Sequence, residues 1–320
     1  MKSHILQATP STVHWGYFDA AIKPVLKIDS GDTITVDTVA GNPSDYEHGG
    51  IQPSQIPQTL REIWHQVEKG EGPHIITGPI EIVGSEPGDL LEVHIENIQM
   101  SVPFGYNMNR YGRGLLPEDF PYEATRIIRM NLQNMTSEIL PGVVVPLKPF
   151  FGTLGVAPLP ILGRVSSSPP GVYGGNIDNK ELVSGSIICL PVQIRGANFS
   201  VGDGHAVQAD GEINVTAIET CMKGTFQIFL VKNKRIRWPR AETKTHFITM
   251  GFHEDLDVAA KIAAREMIDF LGETMGISPE NAYMLMSIAA DLHVTQAVNC
   301  TKGIHVMLPK SIFSGSASKK

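Results

Sequence analysis

A chain of 320 residues, 42% hydrophobic and 18% charged, has enough apolar surface to bury a sizeable core in one large domain or two ordinary ones. Its formal charge of -7 argues against nucleic acid as the partner, because phosphate binding needs a basic face. No apolar run is long enough to span a bilayer and Met1 to Pro10 lacks the order of a signal peptide, so the expected location is cytoplasmic with no membrane partner.

The first two-thirds of the chain carry a strand pattern. Thr33 to Val39 alternates, with Ile34 and Val36 on one face, and Leu91, Val93 and Ile95 alternate against Glu92, His94 and Glu96. Each run follows a Gly-Asp turn, Gly31-Asp32 and Gly88-Asp89. Further strands are expected at Ile187 to Val192, Ile213 to Glu219 and Phe226 to Val231. The proline-rich stretches Leu140 to Pro149 and Pro158 to Pro170 read as connectors, since proline lacks the ladder donor. After His253 the period becomes helical: Leu256, Ala259, Ala260, Ala263, Met267 and Phe270 share a face, and Glu254, Asp255 and Asp257 favour a helix start. A second helix is expected with Ser278 as N-cap, Pro279 in the first turn and an end near Asp291. Gly303 to Leu308 reads as a closing strand. The expected fold is α+β and mainly β: a strand-rich portion over 1–250, a helix-helix-strand portion over 251–313 packed on it, and a disordered tail over 314–320.

Chemistry concentrates in Asp203-Gly204-His205-Ala206-Val207-Gln208-Ala209-Asp210, which reads as a turn-like stretch where glycines let donors converge. Asp203 and His205 form a plausible ligand pair, one short of the three that a catalytic zinc takes from protein. The missing donors are sought among His14, His74, Asp37, Asn176 and Asp178. Asp210 adds an oxygen donor, which together with Asp203, Asn176 and Asp178 suits Ca2+ as well as Zn2+. Glu219, on the apolar face of its expected strand, is a buried carboxylate of raised pKa and the candidate general acid/base. His205 and His74 are the candidate catalytic imidazoles. His94 is expected in solvent, and His48, His65, His246, His253, His293 and His305 as structural. Cys189, Cys221 and Cys300 are too scattered for a disulfide framework and read as buried thiols.

The segments Thr12 to Asp19, Gly72 to Pro79, Glu86 to Asp89, Gly174 to Leu182 and Gly202 to Glu212 resemble the acetamidase/formamidase family, in that family's order. The likeness continues through Thr216 to Glu219, Arg240 to Thr243, Ala290 to Leu292 and Lys302 to His305, so it covers nearly the whole chain. It implies a β-sandwich-rich fold, hydrolysis of short amides, and bound zinc or calcium, with His14, Asn176 and Asp178 as the further ligands. Two departures stand out: Ala209 replaces a glycine, and Tyr173 replaces a histidine common before Gly-Gly-Asn, which removes a potential ligand or proton carrier.

The expected function is hydrolysis of acetamide or formamide by metal-activated water, with the metal Zn2+ or Ca2+. The alternatives are opening of a small γ-lactam and a non-catalytic, metal-stabilised β-sandwich binding protein. A small amide substrate and a homo-oligomer are the expected partners.

Overall fold

The computed structural model describes residues 1–313; the tail expected over 314–320 lies outside the described residues. Alternation builds the first sheet. Ile34, Val36 and Thr38 are the buried members of Thr33–Thr38, and Phe226 and Ile228 play the same part in Met222–Val231, as do Leu91, Val93 and Ile95 in Leu90–Met100. These strands lie in a nine-stranded sheet ordered Ser3–Leu6, Thr33–Thr38, Met222–Val231, Leu90–Met100, Ile187–Pro191, Arg240–Glu242, His246–His253, Lys302–Pro309, Asp291–Gln296.

The second sheet, of ten strands, centres on Phe199–His205, all seven residues of which are buried. Phe150–Gly155 pairs along one edge of that strand; Ile75–Ile82 and Glu219–Thr220 share the other. Ile34, Val93, Phe226 and Ile228 of the first sheet join Ile76, Phe151, Phe199 and Val201 of the second in one buried cluster. The sheets therefore pack face to face as a sandwich. Phe226 lies with its ring 5.6 Å from Phe151 and 6.0 Å from Phe199, and each such buried side chain contributes about 1.5–3 kcal/mol. Two short helices, Pro43–His48 and Gln58–Gln66, bury Tyr46, Leu60 and Ile63 against Trp15 and Phe104 beside this second sheet.

The C-terminal helices form as the caps dictate. The Asp255 side chain accepts from the N–H groups of Asp257 and Val258 to start Leu256–Met275, and Gly276, at φ 67°, ends it. Its buried face of Ala259, Ala263, Met267 and Leu271 packs on Ile304, Val306 and Leu308. The strand His246–His253 crosses residue 250 and pairs with Lys302–Pro309, so the C-terminal portion extends the first sheet. The fold is the mainly-β α+β class expected. Among the described residues no helix is long and apolar enough to cross a membrane.

Several expected elements differ. Residues 213–218 form a tight turn followed by irregular chain, not a strand, and of the expected run only Glu219 pairs, within Glu219–Thr220. The alternation of Ile213 and Val215 misleads there: Ile213 is exposed, Val215 sits at φ 88°, and the Asn214 side chain ties the turn to Asn107. Asp203 to His205 is the end of a central strand, not a loop. Leu140 to Pro149 holds one strand of a separate hairpin, Thr136–Leu140 with Val143–Pro146. The second helix, Pro279–Ala289, stops short because Asp291–Gln296 is claimed as the sheet's edge strand. His94 is half-buried against Phe229, and Cys300 is exposed; neither is where the sequence pattern puts it.

Candidate functional site

Cross-strand pairing assembles the site. His205 lies directly opposite Glu219, and Glu219 in turn opposite Tyr106, so their side chains meet across adjacent strands. On the other side, Gly152 falls between the pairs Phe151↔Gly204 and Thr153↔Gly202, which sets it opposite Asp203. Only glycine at 204 lets Glu219–Thr220 come this close, because a Cβ there would stand 2.6 Å from the Thr220 carbonyl oxygen. His205 Nε2 lies 3.3 Å from Asp203 Oδ1 and 3.1 Å from Glu219 Oε2, all three side chains being buried.

The ring nitrogens have distinct jobs. Gln208 Nε2 donates to the Asp178 carbonyl, which leaves Gln208 Oε1 to accept from His205 Nδ1 at 2.9 Å. His205 Nε2 therefore presents its lone pair, or a proton, to the two carboxylates. Burial would lower this imidazole, but Glu219 and Asp203 outweigh it and hold the ring well above the usual histidine range. Burial pushes Glu219 up to about 7 against the pull of His205. For Asp203 burial is the largest influence and acts upward, yet His74 and His205 together hold the carboxyl below the usual range. A second group overlaps the first: Asp178, His205 and Glu212 also bring one donor atom each within 4.8 Å of one another. Burial first, then the neighbouring acids, raise Asp178 and Glu212 well above ordinary carboxylates.

Three observations fit this donor set to a divalent cation. The 3.1 and 3.3 Å separations match the edge of a tetrahedron with bonds of about 2.0 Å, roughly 3.3 Å. Among the described residues, Glu219 Oε2 and Asp178 Oδ1 are buried without a hydrogen-bond partner, the Glu219 oxygen being near His205 Nε2 but off a hydrogen-bond angle. A Cβ on Gly152 would lie 2.5 Å from Asp203 Oδ2, 2.6 Å from Asp178 Oδ1 and 2.8 Å from His205 Cε1, so the glycine keeps open a space that these residues face. Imidazole and carboxylates bind a cation in their deprotonated forms, so binding would release any proton the cluster holds.

The cluster opens on a cavity of about 720 Å³, whose walls include His74, Asn176, Asp203, Glu212 and Glu219. His74 Nδ1 lies 3.0 Å from the Ser167 carbonyl oxygen, an acceptor only, so that nitrogen carries the ring proton. Its Nε2 lies 3.6 Å from Asp203 Oδ2, and burial, opposed by Asp203, lowers its pKa. Asn176 accepts from Thr153 Oγ1 and donates to the Ser168 carbonyl, which aligns it beside Asp203.

The structure thus gathers Asp203, His205, Glu219, Asp178, Asn176 and His74, and leaves two expected ligands elsewhere. His14 is fully engaged, Nδ1 to the Tyr17 carbonyl at 2.6 Å and Nε2 to Ser200 Oγ at 3.2 Å, and burial lowers it to about 4. Asp210 pairs with Lys180 at 2.8 Å and His293 at 3.0 Å. Asp210, His293 and His305 have ligand spacing. However, the Lys180 ammonium already sits on the Asp210 carboxylate, and the two rings stack at 4.9 Å and 7°, so their in-plane lone pairs run parallel instead of converging. Asp37 pairs with Lys223. Tyr173, where a histidine was expected to be common, is buried against Phe18. Glu212 escaped the sequence reasoning. Its signal was present in Asp210-Gly211-Glu212, where φ of 90° and 47° at Gly211 and Glu212 turns the chain and sends the two acids to different places.

The sequence profile of the Acetamidase/Formamidase family matches residues 6–168 and 163–315. The chain belongs to the Acetamidase/Formamidase family. The crystal structure of acetamidase from Bacillus halodurans has 30% identity and a TM-score of 0.81, over 97% of this chain and 98% of that one. A putative formamidase of Schizosaccharomyces pombe is 27% identical over 260 residues, 64% of this chain and 61% of that protein, so the chain spans about three fifths of that relative's length. The gamma lactamase from Delftia acidovorans, at 24% identity and a TM-score of 0.62 over 97% of this chain and 93% of that one, shares the fold alone.

Proposed function

We propose that this member of the Acetamidase/Formamidase family hydrolyses a short aliphatic amide, acetamide or formamide, to a carboxylate and ammonia, with Asp203, His205 and Glu219 holding a divalent cation, Zn2+ ahead of Ca2+. The observation that carries the reading is the buried Asp203–His205–Glu219 cluster facing a cavity shared with Glu212 and His74. One imidazole nitrogen with two carboxylates suits zinc, whereas an all-oxygen cage would suit calcium and leave His205 idle. When bound, the cation supplies Lewis-acid polarisation of the amide carbonyl and acidifies water. The remaining chemistry belongs to the side chains. His74, neutral and oriented by Ser167, takes the proton of the attacking water through its Nε2 lone pair. Glu212, kept protonated by burial, delivers a proton to the departing nitrogen. Return of the proton from His74 to the Glu212 carboxylate through solvent in the shared cavity restores both groups, so that the net change is one water added across the C–N bond. Glu219 is thereby read as a ligand, and the acid role expected of it passes to Glu212, because its Oε2 stands at ligand spacing from His205. The names of the Bacillus halodurans and Schizosaccharomyces pombe relatives support linear amides; opening of a lactam has a likeness of fold alone behind it. Ammonia release from formamide and acetamide, before and after chelation, tests the reading. Activity that survives complete removal of metal refutes the cation's part; absence of release from either amide refutes the substrate class.

A further inference from the structure

The cavity is large for a molecule with three or four heavy atoms. Its volume of about 720 Å³ falls in the range of pockets that enclose drug-sized ligands, roughly 300–1,000 Å³. One residue on its wall has no structural duty that accounts for its charge. Arg110 is half-buried and lines the same cavity as Asp203, Glu212 and Glu219. Among the described residues its side chain makes one hydrogen bond, from Nε to Met108 Sδ at 3.0 Å, and no carboxylate lies within 4.0 Å of the guanidinium. Other arginines of comparable or greater burial are paired: Arg240 with Glu266 and Glu273, and Arg61 with Glu47. The other cations on the cavity wall are differently placed, Lys69 over the Trp15 ring at 5.6 Å and Arg113 in solvent.

Arg110 directly follows the strand Phe104–Asn109, which carries Tyr106. Tyr106 pairs with Glu219, and Arg110 follows Tyr106 by four residues, at most roughly 13 Å along an extended chain. Its charge is felt at both Tyr106 and His74. A guanidinium presents two parallel N–H groups that match the two oxygens of a carboxylate, and half-buried without a carboxylate partner it is an anion receptor.

We propose that Arg110 forms a carboxylate subsite, and that the preferred substrates are amides with a carboxylate at the far end of a short chain, the monoamides of dicarboxylic acids. This rests on the amide-hydrolase reading of the same cavity and extends it from the reacting bond to the remainder of the substrate.

The test compares succinamate and glutaramate with neutral amides of the same shape, in which an isopropyl group replaces the carboxylate. For the native metal-loaded protein the expected ratio of kcat/KM, charged over neutral, is on the order of tenfold to a hundredfold, as for charge-assisted hydrogen bonds. In Arg110→Met the ratio should collapse to about one; Arg110→Lys, which keeps the charge but not the fork, should fall between. A wild-type ratio of one or less, or a ratio that Arg110→Met leaves intact, overturns the subsite. Thermal shifts with the same compounds separate the two readings. If neither kind of amide releases ammonia but succinamate raises the midpoint of wild type and not of Arg110→Met, hydrolysis fails while the subsite stands; with no such difference, both fall.

Discussion

Gly152→Ala places one methyl group where the site is held open. The backbone of Gly152 has no positive φ, so alanine meets no conformational bar. The new Cβ would instead stand 2.5 Å from Asp203 Oδ2, 2.6 Å from Asp178 Oδ1 and 2.8 Å from His205 Cε1, against the 3.4 Å at which ordinary contact begins. Each neighbour must give by roughly 0.6–0.9 Å, and all three are buried. Overpacking of this size costs about 1–3 kcal/mol, which lowers Tm by several degrees without unfolding the chain. The chemical cost is larger, because a displacement of about 1 Å at reacting groups costs on the order of a hundredfold in rate. The assay is ammonia release from acetamide together with metal content and far-UV circular dichroism on the same preparation. The expected outcome is a folded protein with reduced metal and at least tenfold slower turnover. A Gly152→Ala protein with wild-type turnover and wild-type metal would show that Asp203, Asp178 and His205 do not enclose the working site.

Glu219→Gln should lose bound metal and activity together, since an amide is a poorer ligand than a carboxylate; metal retained at the wild-type level would return Glu219 to an acid/base role. Glu212→Gln should keep its metal and lose a factor of roughly 10²–10⁴ in kcat, as for other general acids, and unchanged turnover would exclude Glu212 from proton transfer. Asp210→Asn should leave metal content as it is, because Asp210 is engaged by Lys180 and His293; a parallel loss of metal would reinstate it as a ligand. Away from the site, the His4 ring and then the Lys2 backbone N–H hold Asp32 down at about 2 from 3.8. Its stabilisation is complete above 3.8 and fades as pH falls through about 2, so Asp32→Asn should lower Tm at neutral pH by an amount that shrinks across that window. A gap between the two proteins that stays constant down to pH 2 would contradict the assignment.

Local patterns were legible in the sequence. The alternation of Ile34 and Val36, the Ser278-Pro279 helix start and the period of Ala259, Ala263 and Met267 all describe elements whose causes lie within a few residues. The central strand was not. Phe199–His205 is buried on every side by strands from residues 75–82, 150–155 and 219–220, so its polar, glycine-bearing end looks like a turn when read alone. Glu219 was correctly expected to be buried, but for a strand that does not exist; its burial comes from the pairing with His205. His14 and Asp210 look like donors in one dimension and are spent on Ser200 and Lys180 in three. Glu212 faces inward because of two consecutive positive φ angles, which no periodicity announces.

The proposed hydrolysis depends most on a cation at Asp203, His205 and Glu219. Metal bound per chain, followed through a chelator titration of wild type and His205→Ala with ammonia release measured at each point, tests it directly. Wild-type activity should fall in proportion to the metal removed and return on reconstitution, while folded His205→Ala should hold neither metal nor activity. Full turnover in metal-free wild type, or wild-type metal and turnover in His205→Ala, would contradict it.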